Sequence, residues 1–436
     1  MLALGKRYEA CAWSFIDGIR DLAMSNPDDI PSRLKGKNVA RLVCCILGLG
    51  SVVAWNAMLT ITDYYYQVFP KYHPSRVLTI VYQLVANVFI STLAYKEAKL
   101  STRFRNIFGY SLFTAGTFCL IILDLASHGS GSVGAYVVLC LISSLFGFAD
   151  AFVQGGMVGD LSYMCPEFIQ AFMGGLGIAG ALTSGFRLIT KAIFDKSSNG
   201  LRKGARIATF IELACLLLYV FVFAKLPIVK YYRAKAGKEG AKSVAADLAA
   251  AGLQEQAQQI QKMDETKIIR LTKKQLLRQN IDHGINLFLI YVVTLSIFPG
   301  FLYENTGEHR LGDWYAPVLV AMYNAWDSIS RFIPSIKFLA MGSRKWITVF
   351  VLARFLLIPA FYFTAKYADQ GWMIFLTSFL GLTNGYLTVC IFSNAPKGYN
   401  GPESNALGNL LCVFLLGGIF VGVCLGWLWL IGHGSF

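Results

Sequence analysis

An acid and a base stand four residues apart in an otherwise apolar stretch, YNAWDSISRFI at residues 323–333. On a helix this spacing places Asp327 and Arg331 on one face, where each can neutralise part of the other's charge. Together they offer a charged acceptor and a charged donor of hydrogen bonds. At the centre of a membrane helix each would cost about 2.5–3.5 kcal/mol. One interpretation is a structural ion pair between helices. Because an apolar pair would often be as stable, the sequence favours a functional role.

A second polar cluster lies in FGFADAFVQGGMVGD, residues 146–160. Asp150 and Gln154 again share a helix face. A glutamine can both donate and accept hydrogen bonds, which suits a polar ligand, although an amide bond between helices is the alternative. Asp150 has no local cation. We expect it to be the residue that takes up a proton, because burial disfavours the charged form of a carboxyl group.

A tryptophan lies deep in the first long apolar stretch, GLGSVVAWNAMLTITDYYYQVFP. Tryptophan usually prefers the membrane interface. The position of Trp55, next to Asn56, therefore makes it a candidate stacking wall for a planar ligand, and ordinary packing explains such a residue equally well.

The composition indicates that these residues lie in membrane-spanning helices. Of 436 residues 55% are hydrophobic and 15% charged, whereas about a quarter of a soluble domain is charged. A helix needs about 20 apolar residues to cross a bilayer, and an outer-membrane barrel would show alternating segments of about ten residues instead. We therefore predict an all-α membrane protein with eleven transmembrane helices, at residues 39–63, 75–96, 104–125, 133–157, 167–194, 206–227, 281–302, 313–334, 345–366, 371–393 and 405–431.

A long basic loop divides these helices into two groups. We predict a cytoplasmic N-terminal segment at 1–35, a six-helix bundle at 36–227, a cytoplasmic basic loop at 228–280 and a five-helix bundle at 281–436. Such a 6+5 layout is typical of a two-half transporter that closes around a central site. The net charge of +14 is concentrated in this loop, which favours contact with anionic lipid and not with nucleic acid.

Positive charge in short loops sets the orientation of a membrane protein. The flank before the first span carries Arg33, Lys35, Lys37 and Arg41, which places the N-terminus in the cytoplasm and, with eleven spans, the C-terminus outside. One loop, KAIFDKSSNGLRKGAR, disagrees. The sequence has no HExxH, GxSxG or P-loop motif and no Cys/His spacing typical of a metal site, so we expect no enzyme, cofactor or metal.

Five stretches together resemble the equilibrative nucleoside transporter family, particularly its plant members. They are AWNAMLTITDYYYQVFP, FVQGGMVGD, SIFPGF, YNAWDSISR and APKGYNGPESNALGNLLCVFLLGGIF. The resemblance runs from about residue 36 to the end of the chain. It implies a major-facilitator-like arrangement of eleven helices that moves purine and pyrimidine nucleosides, such as adenosine and uridine, by alternating access.

The resemblance also implies roles for individual residues. The nucleobase pocket would be lined by Trp55, Leu59, Gln83 and Gln154. Asn324 would lie beside Asp327 and Arg331, which would bind the ribose hydroxyls. A gate would be formed near Phe298 and Pro299.

Several positions depart from the animal members of that family. Ala54 replaces a proline, Gly156 replaces a hydroxyl residue, Gln83 replaces an apolar residue and Asp150 replaces a glycine. The resemblance leaves open whether transport is facilitated diffusion or proton symport, for which Asp150 is the candidate. It also leaves open nucleobases or another small polar solute as substrate. We expect the plasma membrane, with the vacuolar membrane as the alternative.

Overall fold

In the computed structural model, all regular secondary structure in the described part of the chain is helical. The described residues are 36–61, 65–66, 68–69, 71–95, 101–127, 131–194, 199–236, 271–304, 306, 310–367, 370–399 and 401–430. The predicted segment 1–35 and most of the predicted basic loop lie outside these residues.

Eleven long helices follow the predicted spans in order. They are α1 Lys37–Thr60, α2 Pro74–Tyr95, α3 Thr102–Ser127, α4 Val133–Ser162, α5 Pro166–Phe194, α6 Asn199–Leu217, α7 Ile281–Ile297, α8 Tyr315–Phe332, α9 Arg344–Lys366, α10 Gln370–Asn394 and α11 Gly401–Gly426.

Among the described residues, ten helices are long and apolar enough to cross a membrane. The exception is α8, whose sequence contains Asn324, Asp327 and Arg331. These residues lower the hydropathy of a helix that otherwise has the length to span much of the hydrocarbon core. The predicted count of eleven membrane-spanning helices is therefore approximate. Ten helices meet the criteria of length and apolar composition, and the eighth, α8, is a helix at the predicted position but is less apolar.

Prolines set two helix breaks near the centre of the second half. The last turn of α7 ends at Ile297, because the following Phe298 precedes Pro299 and has extended backbone angles. In α9 a 3-10 turn, Arg354–Leu356, interrupts the α-helix. Pro359 explains it, because a proline removes one backbone hydrogen bond and its ring clashes with the carbonyl group four residues earlier.

Each half has its own pairs of packed helices, and a separate set of helix pairs joins the two halves. In the first half α1 packs against α5 and α6, and α4 packs against α2 and α3. In the second half α7 packs against α11, and α8 packs against α10. Among the described residues, the helix pairs that join the two halves include α5 with α8, α2 with α11, α4 with α11, and α5 with α10.

Glycines allow the closest of these approaches. A Cβ atom on Gly177 of α5 would lie 2.7 Å from Arg331 Cδ and 2.8 Å from the Cα atom of Ser328 on α8. A Cβ atom on Gly385 of α10 would contact the carbonyl oxygen of Asp327. Helix α8 is therefore held between two glycine-bearing helices, one from each half.

We predict that Gly177→Ala destabilises this arrangement. The added methyl group would contact the backbone of Ser328, which cannot move cheaply, and overpacking of this kind typically costs about 1–3 kcal/mol. The apparent Tm of the purified protein should fall. Gly185→Ala on the same helix is the matched control, because no atom lies within 4 Å of its added Cβ. Equal Tm values for the two variants would contradict the packing described.

Candidate functional site

The predicted ion pair is present in α8. The Nε atom of Arg331 donates to Oδ2 of Asp327 at 2.8 Å, and both side chains are buried. A partner four residues away thus removes part of the cost of burying each charge.

Neighbouring helices bind both members of the pair. The second carboxylate oxygen of Asp327 accepts a hydrogen bond from Nδ2 of Asn384 on α10, at 2.8 Å. The guanidinium group of Arg331 also donates to the carbonyl oxygen of Met173 on α5, at 3.1 Å. Because α5 belongs to the first half and α10 to the second, the pair lies where the two halves meet.

A chain of buried polar groups continues from Asp327 through the second half. The Oδ1 atom of Asn384 lies 2.8 Å from the hydroxyl group of Thr294 on α7. That hydroxyl accepts a hydrogen bond from Nη2 of Arg354 on α9, at 2.7 Å. Among the described contacts of this hydrogen-bonded series, Asp327 supplies the one carboxylate. Arg331 lies at one end of the series and Arg354 at the other.

The buried guanidinium group of Arg354 is held by neutral acceptors. Its Nη1 atom donates to the Ile290 carbonyl oxygen at 2.9 Å, and its Nε atom donates to the hydroxyl group of Thr383 at 3.1 Å. These bonds tie the break in α9 to α7 and α10. Sequence reasoning missed Thr294, Arg354 and Asn384, although an arginine and an asparagine inside apolar spans carry the signal that identified Asp327.

Asn324 contacts the first half directly. Its Nδ2 atom donates to the hydroxyl group of Ser184 on α5, at 2.7 Å. A Cβ atom on Gly180 would lie 2.7 Å from its Oδ1 atom. Asn324 and Arg331 therefore both meet α5, about two turns apart along α8.

The residues predicted to contact a planar ligand in the first half gather around an aromatic pair. Trp55 of α1 stacks on Tyr82 of α2, with ring centroids 4.2 Å apart and an interplanar angle of 24°. Leu59 lies one turn after Trp55 and is half-buried. Gln83, next to Tyr82, is buried, and its Oε1 atom has no hydrogen-bond partner among the described residues.

A second aromatic pair in the other half has the same geometry. Phe298, after α7, stacks on Tyr323 of α8 with centroids 4.2 Å apart and an interplanar angle of 24°. In each half the tyrosine precedes an amide residue, Gln83 or Asn324. Sequence reasoning missed the two tyrosines, because a match of two residues is too short to indicate a repeat.

The predicted gate residues line a small cavity at the contact between the halves. Phe298 and Pro299 lie in its wall together with Ser75 and Thr79 of α2. On the same side, the guanidinium group of Arg76 donates to the carbonyl oxygen of Gly426 at the end of α11. The structure therefore brings the predicted gate beside the helix that carries Tyr82.

The second predicted polar cluster also forms. The Nε2 atom of Gln154 donates to Oδ1 of Asp150 at 2.7 Å, and both residues are buried. The Tyr82 hydroxyl group lies against the carboxyl group of Asp150. The other carboxyl oxygen, Oδ2, has no hydrogen-bond partner among the residues described. Asp150 and Gln154 thus join the aromatic pair of the first half.

Two solved structures have a similar fold. A proton:xylose symporter of the major facilitator superfamily aligns with a TM-score of 0.54 at 12% identity, over 90% of this chain and 95% of that one. A bacterial homologue of the iron transporter ferroportin aligns with a TM-score of 0.52 at 14% identity, over 89% and 92%. The chain therefore has the fold of these transporters, and ten of its described helices are long and apolar enough to cross a membrane.

Sequence comparisons identify the family within that fold. The family described as "Nucleoside transporter" matches residues 137–431. Equilibrative nucleotide transporter 7 of Arabidopsis thaliana is 84% identical, over 95% of this chain and all of that protein. Equilibrative nucleotide transporter 3 of the same plant is 65% identical, over 92% of this chain and 97% of that protein. This chain belongs to the nucleoside transporter family, which confirms the resemblance.

We predict that Asn384→Ala destabilises the second half. The substitution leaves one oxygen of the buried Asp327 carboxylate without its donor, and an unsatisfied buried group typically costs about 1–3 kcal/mol. The apparent Tm of the purified variant should fall below that of the unmodified protein. The matched control is Ser378→Ala on the same helix, because its hydroxyl group donates to the Ile374 carbonyl oxygen of its own helix. A fall no larger than that of the control would contradict the described role of Asn384.

Proposed function

We propose that this protein moves nucleosides across a membrane by alternating access, with Asp327 and Arg331 as the ribose-binding pair. The observation that supports this most strongly is the position of the pair, bound by α5 of the first half and α10 of the second. A carboxylate beside a guanidinium group offers an acceptor and donors for two neighbouring hydroxyl groups. Asn324, which also contacts α5, adds an amide to the same face.

The aromatic cluster of the first half supplies the proposed nucleobase pocket. One face of Trp55 is covered by Tyr82, so a planar base would stack on the other face, beside Leu59. Gln83 and Gln154 carry amides that can both donate and accept hydrogen bonds. A purine or pyrimidine edge presents both kinds of group, which suits a pocket that accepts both classes of base.

The charges of the site favour a nucleoside over a nucleotide. The positive charge of Arg331 is already balanced by Asp327 at 2.8 Å, and Asp327 would repel a phosphate group. The relatives are named nucleotide transporters, so uptake of adenosine and of its monophosphate should be compared directly. Nucleobases remain the second candidate class, because they would use the aromatic pocket without the ion pair.

Alternating access would require the contacts between the halves to open in turn. Phe298 and Pro299 line a cavity against α2, which suits them to a gate. Following the distribution of lysine and arginine, we place the N-terminus in the cytoplasm and the C-terminus outside. For the membrane itself we propose the plasma membrane, with the vacuolar membrane as the alternative. In this orientation the 36–227 and 281–436 bundles form the two moving halves.

Proton coupling is the finer part of the proposal. Asp150 is fully buried, and one of its oxygens has no hydrogen-bond partner among the described residues. It contacts both Gln154, in the proposed pocket, and Tyr82, which stacks on Trp55. A proton on Asp150 would therefore change the hydrogen bonding of the pocket itself.

We expect Asp327→Ala and Arg331→Ala each to reduce uptake of labelled uridine about 10–100-fold, because a hydrogen bond to a charged group contributes about 1.5–3 kcal/mol. The amount of each variant in the membrane is measured alongside uptake. Ser378→Ala is again the control.

Deoxynucleosides separate a binding role from a structural one. The unmodified protein should prefer uridine to 2′,3′-dideoxyuridine, and Asp327→Ala should lose this preference. If the variant lowers uptake of both compounds by the same factor, the pair is structural and the proposed ribose site is wrong.

We expect Asp150→Asn to keep measurable downhill exchange while its pH dependence becomes flat, because an amide cannot take up a proton. Uptake is measured in vesicles with and without an imposed pH gradient. A symporter accumulates substrate above the outside level and loses that accumulation with an uncoupler, whereas a facilitator never accumulates it. An unchanged pH profile in Asp150→Asn would show that Asp150 does not bind the transported proton.

A further inference from the structure

A further buried acid lies in the first half and has no role in the site described above. Glu212 of α6 is fully buried, and neither of its carboxyl oxygens has a hydrogen-bond partner among the described residues. It stands in the apolar sequence IELACLLL and within a helix that is apolar enough to cross the membrane. It therefore meets the same burial penalty as Asp327 but lacks an arginine four residues away.

Among the described residues, the polar groups near Glu212 are uncharged hydroxyl and thiol groups. Tyr110 of α3, Cys215 of α6 and Tyr82 of α2 lie close enough to be affected by its charge. The hydroxyl group of Tyr110 donates to the Leu47 carbonyl oxygen at 2.7 Å. The thiol of Cys215 lies 3.3 Å from the carbonyl oxygen of Ile46. These neighbours therefore bond to the backbone of α1 and not to the acid.

In the described parts of α1 and α5, which also pack against α6, no cation hydrogen-bonds to Glu212 either. Helix α1 presents the backbone of Ala54 to the carboxyl group. Helix α5 carries Arg187 and Lys191, and neither hydrogen-bonds to Glu212, whose oxygens have no described partner. The Lys191 ammonium group instead donates to the carbonyl oxygen of Asp313, at 2.6 Å.

An ionised carboxylate in such surroundings would be strongly unfavourable, and a buried acid without a partner is more stable with a proton bound. We propose that Glu212 is a proton-binding site of the transporter, linked to Asp150 through Tyr82. The inference rests on the proposed transport function.

The position of Tyr82 gives this link its physical basis. Tyr82 lies near both acids, one on α4 and one on α6, and its ring stacks on Trp55 at 4.2 Å. The backbone of Ala54, which Glu212 faces, is that of the residue before Trp55. A charge that forms on Glu212 would therefore act on both sides of the proposed base-stacking wall.

The proton step balances simply. In the conformation described, Glu212 holds one proton as a neutral carboxylic acid. When the halves rearrange and water reaches the cluster, the proton leaves to that side and a carboxylate remains. The transporter then returns, and the carboxylate takes up a proton from the side on which the cycle began. Glu212 then carries one proton per cycle. Asp150, to which Tyr82 links it, shares that role.

The decisive variant is Glu212→Gln, tested by uptake of labelled uridine into vesicles across a range of outside pH. Unmodified protein should take up more uridine as the outside pH falls. In Glu212→Gln the ratio of uptake at acidic and alkaline pH should fall to about one, because the amide does not titrate. Glu212→Asp is the matched control, since it keeps a carboxyl group and should keep the pH dependence.

A labelling experiment on the unmodified protein keeps the test independent of folding and of transport. Dicyclohexylcarbodiimide reacts with protonated carboxyl groups in apolar surroundings, and mass spectrometry can locate the adduct. The adduct at Glu212 should decrease as pH rises. Labelling that does not vary with pH, or a pH profile of Glu212→Gln equal to that of unmodified protein, would overturn the inference. If the unmodified protein takes up no nucleoside while the labelling of Glu212 still depends on pH, the proposed function is wrong and the proton-binding site is not.

Discussion

Burying Asp327 and Arg331 within a membrane bundle is the constraint on which the site depends. Each charge would be unfavourable alone, and each is bound by the other and by a neighbouring helix. Asn384 fixes the carboxylate to α10, and the Met173 carbonyl oxygen fixes the guanidinium group to α5. The pair consequently couples the two halves. A ligand that bound the pair would compete for hydrogen bonds that hold the halves together, which is how binding could change the preferred conformation.

The two halves contain similar aromatic pairs but place different polar groups beside them. Each has a stacked aromatic pair with the same centroid distance and interplanar angle, and in each pair the tyrosine is followed directly by an amide residue. The second half places a charged pair beside its aromatic rings. The first half places Asp150 and Glu212 there, without a cation among their described partners. A site between the halves would thus present fixed charge on one side and titratable acids on the other.

Much of the fold was accessible from the sequence, because hydrophobic length and charged breaks determine membrane spans. The predicted spans agree with α1–α5 and α7–α11 to within a few residues at most ends. The largest difference is in α6, which begins earlier than predicted and continues through a π-helical and a 3-10 turn at Leu218–Lys225. Apolar length alone does not distinguish these helical forms.

The site was less predictable than the spans. A four-residue spacing is sufficient to predict the Asp327–Arg331 contact, and likewise the Asp150–Gln154 contact. Contacts between distant helices need the tertiary structure, so Asn384, Ser184 and Met173 could not be assigned as partners. Glu212 and Arg354 could have been identified from the sequence as charged residues in apolar spans. Their surroundings could not be predicted. These surroundings show that every nitrogen of the Arg354 guanidinium group is hydrogen-bonded, whereas Glu212 has no described hydrogen-bond partner.

The most direct test of the central claim is a structure of the protein with uridine bound. The account predicts ribose hydroxyl groups within hydrogen-bond distance of Asp327 and Arg331, and the base against the face of Trp55 opposite Tyr82. A bound uridine away from the ion pair, with α8 turning both side chains from the ligand, would contradict it.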